Sequence, residues 1–186
     1  VIPAVKQTRP DFLFIAEAYW DLEPALLGQG FDYCYDKRLY DRLVHESAAS
    51  VRAHLGADLK YQSRLIRLLE NHDEPRAAAT FAPDRHRAAA VATYSLPGAT
   101  LVHHGQLHGA KRKLPVQLRR YSSDSVDPRD ADLYRFYKAV LTTRPTATKW
   151  TLLTTSHPSL PAWLWEGGPL AIVNLSEAAA EGRVHI

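Results

Sequence analysis

The sequence lacks methionine, has a single cysteine and contains no long apolar run. Cys34 has no partner for an internal disulfide or a multi-cysteine metal site, and its aromatic neighbours predict a buried, unreactive thiol. A membrane-spanning helix is excluded because no stretch of about 18 apolar residues exists. The N-terminal residues do not form an intact signal peptide. Because the sequence has no methionine and its first residue is Val1, we expect a piece excised or processed from a longer protein. These features do not assign the protein to a cellular compartment.

Several signatures of other enzyme classes are also absent. There is no glycine-rich phosphate turn and no GxSxG nucleophile turn, which argues against dinucleotide-binding and serine-hydrolase chemistry. Histidines and acids that could serve as metal ligands lack the HExxH spacing, so we predict no metal and no cofactor; these are His72, Asp73, His103, His104 and His108.

The charge pattern does not indicate a nucleic-acid partner or a membrane partner. The formal net charge is +3, and basic residues are scattered among acids along most of the chain. One dense basic patch comprises residues 111–113, with Arg119 and Arg120 nearby. We interpret this patch as a solvated loop in preference to a nucleic-acid-binding patch.

Apolar runs and helical periodicity alternate along the first 143 residues. Strands are predicted at 12–17, 31–35, 64–70 and 99–104, and helices at 22–29, 37–56, 84–95 and 130–143. Such alternation predicts a parallel sheet with crossover helices, and the first strand is expected to be buried on both faces. The repeat of about 33 residues per unit fits half of a (β/α)8 barrel, while an open doubly wound sheet fits the alternation equally well. On periodicity alone, a helix remains an alternative for 64–70.

The tail has a different pattern. Strand-like segments at 150–153, 170–175 and 183–186 are separated by proline, glycine and serine, and helical periodicity stops. This change predicts the beginning of a separate β domain.

Three predicted strands end in acids or histidines. Glu17 ends the first strand, Asn71, His72 and Asp73 follow the third, and a histidine pair follows the fourth. The carboxyl ends of parallel strands meet at one edge of a sheet, so these side chains should converge. Two carboxylates that face each other are what glycoside hydrolysis requires.

Aromatic residues beside these acids suit a sugar ligand, since rings stack on the apolar faces of sugars. Tyr19 and Trp20 follow Glu17 directly. Other interpretations remain open for the acids: Glu17 as an ion-paired strand end, and the His72–Asp73 pair as the start of a helix before Pro75.

Five segments, in order, resemble the α-amylase superfamily, the family 13 glycoside hydrolases. ENHDEPR at 70–76 is similar to that family's seventh-strand motif, and FLFIAEAYW at 12–20 is similar to the fifth-strand motif. The remaining three are PGATLVHHGQLHG at 97–109 (eighth strand), GFDYCYDKRLYDRL at 30–43 (sixth strand) and IVNLS at 172–176 (following β domain).

The resemblance implies an α/β fold, the second half of a (β/α)8 TIM barrel over residues 1–148 with strands five to eight, and the start of an all-β sandwich domain over 149–186. It implies retaining chemistry on α-glucosidic bonds of starch- or glycogen-like glucans. Glu17 would be the acid/base, kept protonated by burial against Trp20, and Asp73 would stabilise the transition state. Implied substrate-binding residues are His72, Asn71, Tyr19, Trp20, Arg76, His104 and Gln106.

The sequence departs from the family pattern in two places. The fourth-strand motif that supplies the nucleophile is absent, so the chain alone is expected to be inactive. In the eighth-strand segment, Leu107 replaces a glutamate, and His103 and His104 replace an aromatic pair. The alternative is a non-catalytic barrel that binds glucan or a protein partner.

Expected partners are an α-glucan or maltooligosaccharide, and either the missing N-terminal half-barrel or a second copy that pairs through open sheet edges. A calcium site in the intact protein is not readable from these residues.

Overall fold

A four-stranded parallel sheet organises the first part of the chain, in a computed structural model that describes residues 1–19, 21–117, 129–143 and 149–186. Its strands are β1 (Ile15–Ala16), β2 (Tyr33–Tyr35), β3 (Leu65–Arg67) and β4 (Ala99–Thr100), hydrogen-bonded in the order β1-β2-β3-β4. Sequential parallel strands without a reversal of direction are typical of a barrel segment, whereas a doubly wound sheet reverses its order. The predicted strand at 64–70 is confirmed over Leu65–Arg67.

Helices precede, connect and follow these strands. Their bounds are α1 (Ile2–Thr8), α2 (Glu23–Gly28), α3 (Lys37–His45), α4 (Ala48–Leu55), α5 (Leu59–Gln62), α6 (Ala77–Thr80), α7 (Pro83–Tyr94) and α8 (Ala131–Thr142), with a 3-10 turn at Gln106–His108. No helix in the described part of the chain is long and apolar enough to cross a bilayer.

The helix predicted over 37–56 is two helices. Asp36 caps α3 by accepting a hydrogen bond from the Leu39 N–H, at 3.1 Å. The chain becomes extended at Glu46 and Ser47, where the Ser47 hydroxyl accepts from the Ser50 N–H at 3.3 Å and starts α4. Serine favours an N-cap position over a helix interior, which explains the break.

The two sides of β1 differ in burial. Ala16, Ala18 and Cys34 pack with Leu27 of α2 beneath the helices, and the buried cysteine predicted from the sequence is confirmed. On the opposite face, Ile15 is 53% exposed. The expectation that the first strand is buried on both faces is therefore wrong for β1, which is an edge strand of the described sheet.

The tail forms a second, antiparallel sheet in the order β7-β6-β5-β8. Its strands are β5 (Trp150–Thr155), β6 (Ala162–Trp165), β7 (Leu170–Ile172) and β8 (Val184–His185), of which β6 was not predicted. Trp150, Trp163 and Trp165 share one hydrophobic core with α3, α4, α7 and α8. The division into domains at 148/149 adjoins residues 144–148, which lie outside the described ranges, and it stays a prediction.

Candidate active site

Two carboxylates and an imidazole meet at the carboxyl edge of the parallel sheet. Glu17 follows β1, and His72 and Asp73 follow β3. The His72 Nε2 lies 3.9 Å from the Glu17 Oε1 and 3.4 Å from the Asp73 Oδ2. The ligand atoms of all three side chains lie within 4.8 Å of one another. The predicted convergence of these strand ends is therefore what the fold produces.

The cluster is open to solvent. The side chains of Glu17, His72 and Asp73 are 38%, 46% and 54% exposed. Burial of Glu17, which the resemblance implied, is not found in the described part of the chain, and Trp20, the expected cover, lies outside the described residues. The three groups could reach one cation, but exposed acids commonly lie together without one, so the absence of a metal stays a prediction.

Tyr19 is tied to the acid of the first strand. Its hydroxyl donates a hydrogen bond to the Glu17 Oε1, at 3.0 Å. Burial raises the pKa of Tyr19, and the hydrogen bond to the Glu17 carboxylate raises it further. The phenol therefore stays protonated and holds one oxygen of Glu17 in place, leaving the other oxygen for a ligand.

Asn71 shapes the turn that presents Asp73. Its Oδ1 accepts hydrogen bonds from the backbone N–H groups of Asp73, at 2.9 Å, and Glu74, at 2.8 Å. The Asn71 side chain is buried, and Lys113 Nζ donates to the Asp73 carbonyl oxygen. Asparagine suits this position because its short amide mimics a backbone acceptor in a turn. The structure thus places Asn71 beneath the cluster.

A buried charged group lies behind the cluster. The Glu70 carboxylate accepts the Ala77 N–H at 2.6 Å and lies 3.1 Å from the Arg76 Nη2. Arg76 also donates to the His103 Nδ1 at 2.7 Å and to the His104 carbonyl oxygen at 2.8 Å. Arg76 was predicted to bind substrate; its guanidinium is largely buried and joins the loops after β3 and β4, but Arg76 also lines the pocket next to the cluster, so the contact stays a prediction.

Glu70 lies in the ENHDEPR segment and His103 was considered as a metal ligand, but neither was among the predicted catalytic or substrate-binding residues. Glu70 is the first residue of the ENHDEPR segment at 70–76, and this position at the end of a strand was the available signal. Burial raises the pKa of Glu70 to about 7, because the Ala77 N–H and the Arg76 guanidinium only partly offset the loss of solvation.

Gln106 belongs to the interior. Its Nε2 donates to the Tyr94 hydroxyl at 2.6 Å and to the Tyr137 hydroxyl at 3.2 Å, and its Oε1 accepts the His103 N–H at 3.2 Å. The residue is buried and every polar atom of its amide has a protein partner, which leaves none for the predicted substrate contact. His104, in contrast, is exposed at the rim.

A pocket of about 550 Å³ adjoins the cluster and shares His72 with it. His103 and His104 also line this pocket, and apolar wall is supplied by Val102 and Leu114. Apolar walls with a few convergent polar groups are typical of small-molecule sites. The arrangement can hold a ring that has apolar faces and hydroxyl edges.

No protein-family model and no curated protein matches the chain. Its structure is similar to a noncanonic maltogenic α-amylase from Thermotoga neapolitana, with a TM-score of 0.74 and 20% identity over 93% of this chain and 44% of that one. A ligand-free cyclic α-maltosyl-(1→6)-maltose hydrolase from Arthrobacter globiformis gives 0.70 and 19%, over 89% and 42%. A cyclomaltodextrinase gives 0.70 and 21%, over 92% and 33%. The chain thus spans less than half of these structures, and the likeness confirms the resemblance at the level of the fold.

Proposed function

We propose that this chain is the acid/base half of a retaining α-glycosidase or α-glucanotransferase of the α-amylase type. The observation that carries the proposal is the meeting of Glu17 and Asp73 around His72 at the carboxyl edge of a parallel sheet. Structures with this fold include enzymes named for maltosyl and maltodextrin substrates, which supports an α-glucan or maltooligosaccharide as the substrate.

Each cluster residue has a proposed role. Glu17 protonates the leaving glycosidic oxygen and then takes a proton from the incoming water or sugar hydroxyl. Asp73 binds sugar hydroxyls and stabilises the positive charge that develops at the anomeric carbon. His72 hydrogen-bonds the same sugar, and Tyr19 holds the carboxylate of Glu17 in a fixed orientation.

The nucleophile in this proposal comes from outside the 186 residues. The open face of the parallel sheet supports that view, because apolar side chains that a packed barrel would bury are exposed there, with Leu13 at 58% and Ile15 at 53%. We propose that further barrel strands, or a second copy of this chain, cover this face.

The acid/base role of Glu17 is tested in the full-length protein by comparing substrates with poor and good leaving groups. Glu17→Gln should lower kcat/KM on maltoheptaose by roughly 10²–10⁴, the usual contribution of a positioned acid. Formation of the glycosyl-enzyme from a 2,4-dinitrophenyl maltoside should fall far less, because dinitrophenolate leaves without protonation. Equal losses on both substrates would remove Glu17 from the acid role.

Asp73→Asn serves as the matched variant in the same assay. A transition-state stabiliser acts whatever the leaving group, so both substrates should lose activity to a similar extent. If the unaltered protein binds maltoheptaose but turns over neither substrate, the non-catalytic barrel replaces the enzyme.

Size-exclusion chromatography of the 186-residue chain tests whether the open face binds another chain. Pairing through exposed strands or apolar surface predicts a dimer or larger species at micromolar concentration. Ile15→Lys should shift that species toward monomer, while Arg9→Lys, an exposed change that keeps the charge, should not. A single monomer peak with cooperative melting would contradict the proposal.

A further inference from the structure

Arg76 makes four contacts that fix its guanidinium. Besides the 3.1 Å pair with Glu70, it donates to the His103 ring, to the His104 carbonyl oxygen and to the Ala110 carbonyl oxygen at 3.4 Å. The approach is close: a Cβ on Gly105 would lie 2.7 Å from the Arg76 Nη2. The guanidinium therefore has one position relative to the histidine ring.

This position determines which nitrogen of His103 carries the proton. A guanidinium has N–H donors and no acceptor. At 2.7 Å from the Arg76 Nη1, the His103 Nδ1 must act as the acceptor and cannot carry a hydrogen. The hydrogen of the neutral ring is then on Nε2, which is the nitrogen not engaged by Arg76.

The surrounding groups also keep His103 neutral. Burial lowers the pKa of His103, and Arg76, His104 and His72 lower it further. Glu70 is the acid nearby, with its Oε1 at 3.4 Å from the His103 Nδ1. Its carboxylate already receives the Ala77 N–H and faces Arg76, so it does not draw a proton onto the ring.

We propose that the Glu70–Arg76 pair locks His103 as a neutral Nε2–H donor at the wall of the pocket it shares with His72. The ligand group that such a donor takes is a neutral oxygen acceptor, here a hydroxyl or ring oxygen of a sugar. The identity of the ligand rests on the proposed function, but the tautomer does not. In this scheme Arg76 and Glu70 are positioning residues, and His103 is the group that touches the ligand.

The tautomer is measured directly by long-range ¹H–¹⁵N correlation on ¹⁵N-labelled full-length protein at pH 7, with the ring assigned by comparison with His103→Gln. We expect the pattern of an Nε2–H imidazole for His103. Arg76→Gln should abolish this preference and raise the pKa of the ring. If Arg76→Gln does not fold, Glu70→Gln replaces it, because it removes the partner that holds Arg76. An Nδ1–H or cationic ring in the unaltered protein would overturn the proposal.

Side-chain amides give the matched functional test. Glutamine places its amide nitrogen near the position of the histidine Nε2, whereas asparagine places it near Nδ1. In calorimetric titrations with maltoheptaose, His103→Gln should bind within about threefold of the unaltered protein, and His103→Asn should bind roughly tenfold more weakly. Equal losses in the two variants would refute donation from Nε2. Absence of binding by every form would refute the sugar ligand and the proposed function, while the tautomer result would stand on its own.

Discussion

Two buried acids at neighbouring strand ends, Asp36 and Glu70, have pKa values shifted in opposite directions. Burial raises the pKa of Asp36, but Arg67 and His54 more than offset it, and the pKa falls to about 2. Burial raises the pKa of Glu70 to about 7, although Arg76 lies 3.1 Å away. Burial and a nearby arginine are therefore not enough to predict how an acid titrates.

The difference lies in how the cation is used. Arg67 hydrogen-bonds Asp36 directly, and His54 Nε2 approaches the same carboxylate at 3.0 Å. Arg76 instead donates its hydrogen bonds to the loop after β4, and its interaction with Glu70 is an ion pair. Asp36 therefore stabilises the packing of the elements that carry its partners, and Glu70 supports the rim of the candidate site through Arg76.

The largest expected effect comes from breaking the Asp36 pair. Asp36→Asn leaves the Arg67 charge buried without its counter-ion, which costs about 3–5 kcal/mol of unfolding free energy. Urea denaturation measures this. Asp41→Asn, in the same helix, removes an acid whose pair with Lys37 is 40% exposed on the acid side, and should cost less than about 1 kcal/mol. Equal losses of unfolding free energy in the two variants would show that the buried Asp36–Arg67 pair contributes no more than the more exposed Asp41–Lys37 pair.

Opposite pH dependences are the second expected effect. The stability that Asp36 contributes is present above its unfolded pKa of 3.8 and is lost as the pH falls toward about 2. For Glu70 the folded pKa of about 7 exceeds the unfolded 4.5, so folding favours the protonated acid and stability falls as the pH rises through that window.

Glu70→Gln removes the group that makes stability fall as the pH rises from about 4.5 to about 7. Between pH 5 and pH 8, this variant should gain up to about 3 kcal/mol of unfolding free energy relative to the unaltered protein, measured by urea denaturation at each pH. Parallel pH profiles would mean that Glu70 is already ionised when folded.

A smaller effect is expected from displacing Arg76 without changing any charge. Gly105 has φ +88°, and an added Cβ would meet the Arg76 Nη2 at 2.7 Å. Gly105→Ala should cost about 1–3 kcal/mol through backbone strain and should raise the pKa of Glu70 by moving its cation away. Gly28→Ala, with nothing within 4 Å of the added Cβ, is the control and should be neutral or slightly stabilising. If Gly105→Ala leaves the pH profile unchanged, Arg76 does not govern Glu70.

The smallest effect concerns a third buried acid. Burial raises the pKa of Glu23, and its Oε1 accepts no hydrogen bond among the described residues. Glu23→Gln should be neutral or stabilising by about 1 kcal/mol at pH 7, since it removes the cost of burying charge. A thermal melt of Glu23→Gln beside that of Asp36→Asn tests whether a buried acid that forms no ion pair with an arginine within the described ranges is dispensable. A loss as large as that of Asp36→Asn would contradict the comparison.

The parallel strands were predictable because short apolar runs bounded by residues that break secondary structure, such as proline and glycine, mark them within the local sequence. Strand β6 was missed, because its tryptophan-rich run lies between Pro161 and the Gly167–Gly168 turn without alternating polar residues. The break between α3 and α4 depends on one hydroxyl at Ser47, which a helical apolar pattern on both sides conceals.

For the candidate site, the motifs brought Glu17, His72 and Asp73 together correctly because strand ends meet at one edge of a parallel sheet. The Glu70–Arg76–His103 group was not predictable in the same way. It depends on the loop after β4 folding back against Arg76, over a separation of 27 residues, and periodicity does not encode such an approach.

The tryptophans of the second sheet are an optical probe of the contact between the tail and α7. Trp163 Nε1 donates to the Ser95 hydroxyl at 3.1 Å and Trp165 Nε1 to the Ser95 carbonyl oxygen at 2.7 Å, directly after α7. Three of the four indoles are buried in this region, so ultraviolet-excited emission from them follows the packing of the tail on α7. A red-shifted spectrum in an Asp36 variant would mean that damage on the parallel sheet has crossed the shared core to the tail.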